Sequence, residues 1–203
     1  SEFQDIAFLE KHDVDVLYVP GEDEMFPSSA EFMYGIKPPH PYTEFDIGGY
    51  RLTQHVKLIN AVQPDTMVWG EKNFLEFHSV RQLIRDLNIR TQVQCVPTVR
   101  HADGVAVSSA VGKMTGAQRE KAPIMWETLQ NVAHAIRNGA RSFENLEKTA
   151  RLALRGAGFK VNFFKILDED SLAPASDKTK SYRIVGSVKL GENSVNDSLG
   201  LTL

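Results

Sequence analysis

Short apolar runs alternate with helical periods along the first half of the chain, and this order constrains the fold more than any other feature of the sequence. The run at residues 14–20 is almost continuously apolar and ends at Pro20 and Gly21, which is typical of a parallel strand covered on both faces. Two more strands are predicted at residues 66–70 and 90–96. Helices that alternate with such strands indicate a parallel sheet in an α/β fold.

The segments between these strands have the period of amphipathic helices. Apolar side chains recur on one helical face at residues 5–12, 50–62 and 73–88, and Asn73 is a candidate N-cap of the third helix. Residues 27–49 have neither a helical nor a strand period and are rich in Pro, Gly and aromatic side chains, so we predict a long surface loop there.

The second half of the chain has a different order of elements. Two helical segments precede three predicted strands, at residues 116–138 and 142–156 and at residues 161–167, 182–190 and 195–203. Pro123 marks either the first turn of the first helix or a kink within it, and Gly139 fits a helix C-cap. Helices followed by strands without alternation indicate a separate, smaller α+β domain. We therefore divide the chain into domains at residues 1–105 and 106–203.

Charge and hydropathy exclude several classes of protein. The chain has 23 Lys and Arg against 26 Asp and Glu, so it has no excess of cations to neutralise a phosphate backbone, and we expect no nucleic-acid partner. No apolar run approaches the roughly 20 residues of a membrane-spanning helix, so we expect a folded cytoplasmic protein without a membrane partner. The single cysteine, Cys95, cannot form an intramolecular disulfide and is predicted to be a small buried hydrophobe.

Three pairs of short motifs lie along the chain. They are found at residues 14–20 and 24–27, at 62–65 (VQPD) and 70–74 (GEKNF), and at 96–100 (VPTVR) and 103–109 (DGVAVSS). Any one pair is a weak signal, but three in register over about half of the chain are specific. Their sequences, order and separations resemble the GVDxVFAP...EMYP, VQPD...GEKD and VPTVR..DGLAMSSRN segments of the pantothenate synthetase (pantoate:β-alanine ligase) family.

The resemblance implies a fold, a reaction and partners. The implied fold is a partial Rossmann-like parallel sheet of the nucleotidyltransferase type, with a smaller C-terminal α+β domain that closes as a lid. The implied reaction joins pantoate, or a related acid, to β-alanine through an acyl adenylate, with ATP and Mg²⁺ as cofactors. Family members also resemble dimers joined through their Rossmann domains, so the resemblance implies a homodimer.

Carried over position by position, the resemblance implies a nucleotide site with two rims, residues 70–73 (the first rim) and residues 107–109 (the second rim). The implied catalytic residues are Lys72, Ser108 and Ser109. The implied nucleotide-binding residues are Gly70, Lys72, Asn73, Val99, Val107, Ser108 and Ser109. Glu76 takes a substrate-binding position, and no residue is assigned to a metal. An ammonium group and hydroxyl donors can stabilise the charge that develops on a transferring phosphoryl group, a task that Mg²⁺ usually shares.

The chain also departs from the family pattern. The family's HxGH motif, NPxQF segment and RPGHF segment have no counterpart in these residues, and we expect that an N-terminal segment bearing the first two is missing. Asn73 stands where the family has Asp, Glu76 where it has Gln, and Ala110 where it has Arg. Replacing that Arg by Ala removes a charge-assisted phosphate contact worth about 1.5 to 3 kcal/mol.

The assigned residues have plainer alternatives. Lys72 could be a solvated lysine at a helix start, and Ser108 and Ser109 could be turn residues that satisfy backbone groups. Five histidines lack the spacing of a metal site, and we expect each of them to be at the surface or hydrogen-bonded: His40, His55, His78, His101 and His134.

Three functions therefore remain open. The first is an ATP-dependent, amide-forming ligase of the pantothenate synthetase type, which the motifs favour. The second is a non-catalytic relative that keeps the fold and nucleotide binding and serves as a partner subunit, which Asn73, Glu76 and Ala110 favour. The third is a ligase with different acyl and amine substrates.

Overall fold

The computed structural model describes residues 2–26, 35–37, 45 and 49–203. Most of the predicted loop at residues 27–49 lies outside these ranges. The chain divides into two compact units, residues 1–37 with 48–64 and residues 38–47 with 65–203. Within the described ranges, no helix is both long and apolar enough to cross a membrane.

The described part of the first unit contains three helices joined by irregular segments. Its helices are α1 (Glu2–Glu10), α2 (Glu22–Met25) and α3 (Gly49–Val62). In α3 the buried residues Leu52 and Ile59 lie two turns apart, as the apolar period requires. The helices predicted at residues 5–12 and 50–62 are therefore confirmed. The acidic residues 22–24 form the first turn of α2, where the helix dipole favours carboxylates.

The strand predicted at residues 14–20 is wrong. These residues pair with no described strand, and their apolar side chains are largely uncovered, Val16 being 81% exposed. A β-strand needs a neighbouring strand to satisfy its backbone N–H and C=O groups. An apolar sequence signals a tendency to be buried but does not supply that neighbour.

Two strands begin the second unit as a parallel pair. They are β1 (Thr66–Gly70) and β2 (Gln92–Val96), with Gly70 opposite Val96. Both agree with the strands predicted at residues 66–70 and 90–96 to within two residues. The prediction that Cys95 is buried is wrong, because β2 is mostly uncovered in the described structure and Cys95 is exposed.

One helix covers this parallel pair. A 3-10 turn (Glu71–Asn73) follows β1 and leads into α4 (Phe74–Asp86), which packs against both strands. The buried residues of α4 are Phe74, Leu75, Phe77, His78, Ser79, Val80, Leu83 and Ile84. Asn73 occupies the predicted N-cap position, but its side chain makes no capping hydrogen bond.

The rest of the second unit has the predicted order of helices followed by strands. The helices are α5 (Ser109–Gly112), α6 (Gly116–Lys121), α7 (Pro123–Arg137) and α8 (Phe143–Gly156), and the strands are β3 (Lys160–Asp168), β4 (Ser181–Leu190) and β5 (Asn193–Thr202). The strands form an antiparallel sheet in the order β3-β4-β5. Leu190 lies opposite Asn193 across a tight turn, in which Gly191 has a φ of 61°, a value that favours glycine.

The main core of the second unit lies between α7, α8 and the antiparallel sheet. Its buried residues include Met125, Leu129, Ile136, Leu154, Phe164, Ile166, Tyr182, Ile184 and Val188. Pro123 is the first residue of α7, so it starts this helix rather than kinking it. Gly139 follows the end of α7 with a φ of 90°, as predicted for a C-cap glycine. A parallel sheet and a separate antiparallel sheet confirm the predicted α/β fold class.

Candidate functional site

The first rim, residues 70–73, begins where β1 ends. Gly70 is extended, with φ −76° and ψ 133°, and no atom of the residues that the structure describes would lie within 4 Å of a Cβ placed on it. Its backbone can therefore be approached closely by a ligand. Lys72 and Asn73 follow at the N-terminus of α4, where unpaired N–H groups and the helix dipole favour an anion. Lys72 is half-buried and forms no ion pair with any described residue.

A hairpin at residues 99–107 extends the chain beyond the end of β2. Arg100 and Ala106 form an antiparallel bridge, and the Val107 N–H donates to the Val99 carbonyl at 2.9 Å. Val99 is 73% exposed and Val107 is 49% exposed. The hairpin therefore presents two adjacent apolar side chains, which suit the face of an aromatic ligand group.

The second rim, residues 107–109, continues directly from this hairpin. Ser108 occupies the N-cap position of α5 but makes no capping hydrogen bond through its side chain. Ser108 is half-buried and Ser109 is exposed. No hydrogen bond of either hydroxyl to another described residue is present, so both are accessible to a ligand.

Both rims follow the same edge of the parallel pair. Gly70 lies opposite Val96, so the first rim and the segment that leads to the hairpin leave the sheet side by side. Carboxyl ends of parallel strands are where α/β sheets bind their ligands. Glu76, the predicted substrate residue, is half-buried in the first turn of α4, three residues after Asn73 and on the same side of the helix. That one nucleotide uses all these residues stays a prediction.

Arg100 links the hairpin to the antiparallel sheet. Its guanidinium donates to both carboxylate oxygens of Asp197 on β5, at 2.7 and 2.9 Å, and to the Gly104 carbonyl at 3.0 Å. It also lies over the ring of Trp126, with Cζ 3.5 Å from the ring centroid. A paired and stacked guanidinium of this kind is a structural contact between the hairpin and the C-terminal part of the chain.

Glu71 links the first rim to the same sheet. Arg183 on β4 donates to the Glu71 carboxylate at 2.6 Å and to the Glu169 carboxylate at 2.9 Å. The hydroxyl of Ser198 donates to the Glu71 carbonyl at 2.7 Å. Arg183 is buried, and its Cζ lies 3.8 Å from the ring centroid of Phe74. The first rim is thus held through both its side chain and its backbone.

A pocket of about 320 Å³ lies beside the first rim and contains none of the predicted site residues. Its lining residues are Glu71, Phe74, Phe77, Arg81, Cys95, Val96, Pro97, Glu169, Asp170 and Arg183. Partial desolvation by the pocket and the nearby carboxylate of Glu71 raise the pKa of the Cys95 thiol, although Cys95 as a whole is exposed. The protonated thiol is a poor nucleophile, so the pocket does not activate Cys95 for catalysis.

Sequence reasoning missed the residues that hold the rims. Glu71 and Arg100 lie inside the recognised motifs. The residues with which they pair, Arg183 and Asp197, lie about 100 positions later in the chain. A lone Arg or Asp in a sequence gives no indication of which opposite charge it will meet. The pairing follows from the packing of β5, and of Arg183 on β4, against the 3-10 turn that follows β1 and against the hairpin that follows β2.

A family model for Pantoate-beta-alanine ligase matches residues 1–199 of this chain. The pantothenate synthetase of Nitrosospira multiformis is 32% identical over 206 residues, which cover 98% of this chain and 73% of the relative. The pantothenate synthetase of Pseudomonas aeruginosa PAO1 is 35% identical over 195 residues, covering 93% of this chain and 69% of the relative. This chain therefore corresponds to about three quarters of the first of these relatives.

Solved structures agree with these sequence matches. The pantothenate synthetase of Thermus thermophilus superimposes with a TM-score of 0.88 at 28% identity, over 98% of this chain and 74% of that one. The pantoate-beta-alanine ligase of Francisella tularensis, described as complexed with βγ-ATP and β-alanine, superimposes with a TM-score of 0.73 at 22% identity, over 98% of this chain and 69% of that one. The second likeness concerns the fold alone.

Proposed function

Because this chain belongs to the pantoate–β-alanine ligase family, we propose that it is an ATP-dependent ligase that joins pantoate to β-alanine through an acyl adenylate. The observation that carries the proposal is the position of the two rims beyond the carboxyl ends of β1 and β2. Gly70 offers an uncovered backbone and Lys72 an ammonium without a described ion-pair partner on one side, while Val99 and Val107 offer an apolar surface on the other. These are the groups that an adenosine triphosphate needs from a protein.

The proposed reaction has two steps. A carboxylate oxygen of pantoate attacks the α-phosphorus of ATP, and pyrophosphate leaves. The amine of β-alanine then attacks the acyl carbon, AMP leaves, and the nitrogen loses a proton. In the first step the ammonium of Lys72 and the hydroxyls of Ser108 and Ser109 stabilise the charge that develops on the phosphoryl oxygens. Val99 and Val107 pack against the adenosine and keep water from it.

Mg²⁺ is compatible with the residues of this site as an ion carried by the nucleotide. No group of three or more His, Cys, Asp or Glu side chains in the described ranges is arranged to hold a metal ion. Mg²⁺ commonly keeps several waters and binds substrate phosphates with few protein ligands. When bound, it neutralises phosphate charge and polarises the α-phosphorus.

Three departures from the family pattern bear on substrate choice. Asn73 and Glu76 lie on the same side of the first turn of α4, and Ala110 lies in α5 after the second rim. Glu76 brings a negative charge where the family has a neutral amide, so it can accept hydrogen bonds from the hydroxyl groups of an acid such as pantoate but repels a carboxylate placed directly beside it. Ala110 removes one cation from the phosphate side. We propose pantoate as the acyl substrate, with related acids as the alternatives to compare.

The ligase reaction is tested by measuring pyrophosphate release from the 203-residue chain with ATP, Mg²⁺ and pantoate, and pantothenate formation after addition of β-alanine. We expect pyrophosphate release to require both ATP and the acid. If the chain binds ATP but releases no pyrophosphate with any acid tested, the ligase proposal is wrong. The protein would then be the non-catalytic relative that binds nucleotide as a partner subunit. Absence of ATP binding by calorimetry would contradict the site itself.

The role of Lys72 has its own matched test. Lys72→Ala is expected to weaken ATP binding by about tenfold, the usual effect of losing one charge-assisted phosphate contact. Lys148→Ala removes an exposed lysine of α8 and serves as the control. Equal ATP affinities for the two variants would remove Lys72 from the site.

The proposal also includes the arrangement of the whole protein. Residues 1–105 form the nucleotide-binding domain with the first rim, residues 106–203 form the C-terminal lid domain that carries the second rim, the protein forms a homodimer, and it works in the cytoplasm. Family membership supports these three statements. Sedimentation equilibrium tests the dimer, and a single species at the monomer mass of 22.7 kDa would contradict it.

A further inference from the structure

One dipeptide of β5 contacts the segments that carry both rims. Asp197 and Ser198 are consecutive residues and are only 4% and 1% exposed. The carboxylate of Asp197 accepts two hydrogen bonds from Arg100, at 2.7 and 2.9 Å, and Arg100 belongs to the hairpin that ends in the second rim. The hydroxyl of Ser198 donates to the carbonyl of Glu71, inside the first rim, at 2.7 Å.

The geometry of a strand makes this dipeptide a spacer. Successive side chains of a strand leave opposite faces, so Asp197 and Ser198 reach out from two sides of β5. Consecutive Cα atoms are about 3.8 Å apart, and covalent geometry allows almost no change in that distance. Two segments that bond to neighbouring residues of one strand are therefore held at a nearly constant separation.

Further contacts make both ends of the spacer rigid. The backbone N–H of Ser198 donates to the Asp197 carboxylate at 2.8 Å, which orients that carboxylate toward Arg100. Trp126 stacks on Arg100, and Arg183 bonds to the side chain of Glu71. A buried, fully paired carboxylate of this kind changes position only at the cost of its hydrogen bonds.

We propose that Asp197 and Ser198 are positioning residues that set the separation of the two rims and thereby the affinity of the site for ATP. The inference rests on the proposed function, since the rims form a nucleotide site only there. Neither residue touches the ligand. ATP must contact both rims at once, so a change in their separation weakens the contacts on both sides.

Two variants test the two contacts of the spacer separately. Asp197→Asn keeps the shape of the side chain but places an amide N–H₂ group against the guanidinium of Arg100. Ser198→Ala removes only the hydroxyl that binds the Glu71 carbonyl. The matched controls are Asp177→Asn, in the exposed segment before β4, and Ser194→Ala, at an exposed position of β5 itself.

Amide hydrogen exchange of the unliganded chain tests the spacer without any nucleotide. Ser198→Ala is expected to raise exchange at residues 71–75, and Asp197→Asn at residues 99–107, with the controls unchanged in both segments. Exchange that stays at the level of the unaltered chain in both segments would overturn the inference. Should Asp197→Asn fail to fold, Ser198→Ala decides alone, with the first segment as its readout.

Calorimetric titration with ATP then tests the consequence for the site. Each single variant is expected to bind ATP roughly five- to twentyfold more weakly, the range of a modest coupling between sites. The double variant is expected to bind about as weakly as the weaker single variant, because a spacer released at one end no longer sets the separation. If the loss of ATP affinity in the double variant equals the product of the losses in the two single variants, the inference is overturned.

The two proposals fail in different ways. If the unaltered chain does not bind ATP, the proposed function is wrong, and the exchange pattern still decides whether Asp197 and Ser198 hold the two segments. If the unaltered chain binds ATP and both single variants bind it as tightly as the controls, the proposed function stands and the positioning inference is overturned.

Discussion

Arg100 lies over the ring of Trp126, with its guanidinium carbon 3.5 Å from the ring centroid. The same ring fills the space beside Gly104, where a Cβ would come within 2.1 Å of Trp126 Cδ1. The tip of the hairpin at residues 99–107 is thus packed onto α7 through one aromatic side chain.

We predict that Gly104→Ala destabilises the protein by about 2 to 4 kcal/mol. Gly104 has a φ of 85°, which a residue with a Cβ rarely adopts, and the added methyl group would collide with Trp126. Urea unfolding measures the change. Gly116→Ala is the control, because a Cβ at Gly116 meets no atom within 4 Å and its φ is not positive. A loss of stability no larger than in this control would contradict the prediction.

Glu147 offers a test of the core between α8 and β3. Its buried carboxylate accepts from the Ile166 N–H at 3.0 Å and forms ion pairs with Arg151 at 3.2 Å and Lys165 at 3.4 Å. Glu147→Ala leaves the buried N–H without a partner and is expected to cost about 2 to 4 kcal/mol.

Glu147→Gln separates the hydrogen bond of Glu147 from its charge. It keeps the acceptor for Ile166 and is expected to cost about 1 kcal/mol. Glu144→Gln, at an exposed position of the same helix, is the control. If Glu147→Ala, Glu147→Gln and Glu144→Gln unfold at the same temperature, the carboxylate of Glu147 does not contribute to stability.

The buried His78 makes stability depend on pH. Burial, and after it the positive charge of Arg81, lower the pKa of His78 below its ordinary value of 6.5, and its Nε2–H donates to the Asp170 carbonyl at 3.0 Å. The unfolded chain therefore takes up a proton at a higher pH than the folded protein does.

The free energy of unfolding is therefore expected to decrease as the pH falls. The contribution of His78 is fully present above pH 6.5 and is lost as the pH falls from there through the lower pKa of the folded state. Unfolding free energies between pH 8 and 5 check the trend. His78→Gln keeps a donor for Asp170 and is expected to flatten the curve in this range; an unchanged slope in the variant would assign the dependence to other groups.

Cys95 is expected to react slowly with alkylating reagents at neutral pH although it is exposed. Partial desolvation of the thiol by the side chains that line the pocket, followed by the charge of Glu71, raises its pKa above the ordinary value of 9.0. The rate of reaction with iodoacetamide should therefore rise with a midpoint above pH 9.0. The unfolded chain in urea is the control, and overlapping pH profiles for the two states would contradict the prediction.

Elements that depend on local sequence were predictable. The bounds of β1 follow from a short apolar run between Pro64 and the first rim, and α7 begins at Pro123 because a proline suits the first turn of a helix. Gly139 ends α7 for an equally local reason, its positive φ. The strand predicted at residues 14–20 failed because pairing requires a second strand, which no local pattern provides.

The sequence by itself determined the order of the longer helices and strands after residue 65, the motifs of the two rims and the family to which the chain belongs. Only the tertiary structure decided how the rims are held, through Arg100 with Asp197 and through Glu71 with Arg183 and Ser198. Periods and caps act between residues a few positions apart, so a sequence displays them directly. These contacts join residues about 100 positions apart, and the packing of β5 against the 3-10 turn that follows β1 brings the partners together.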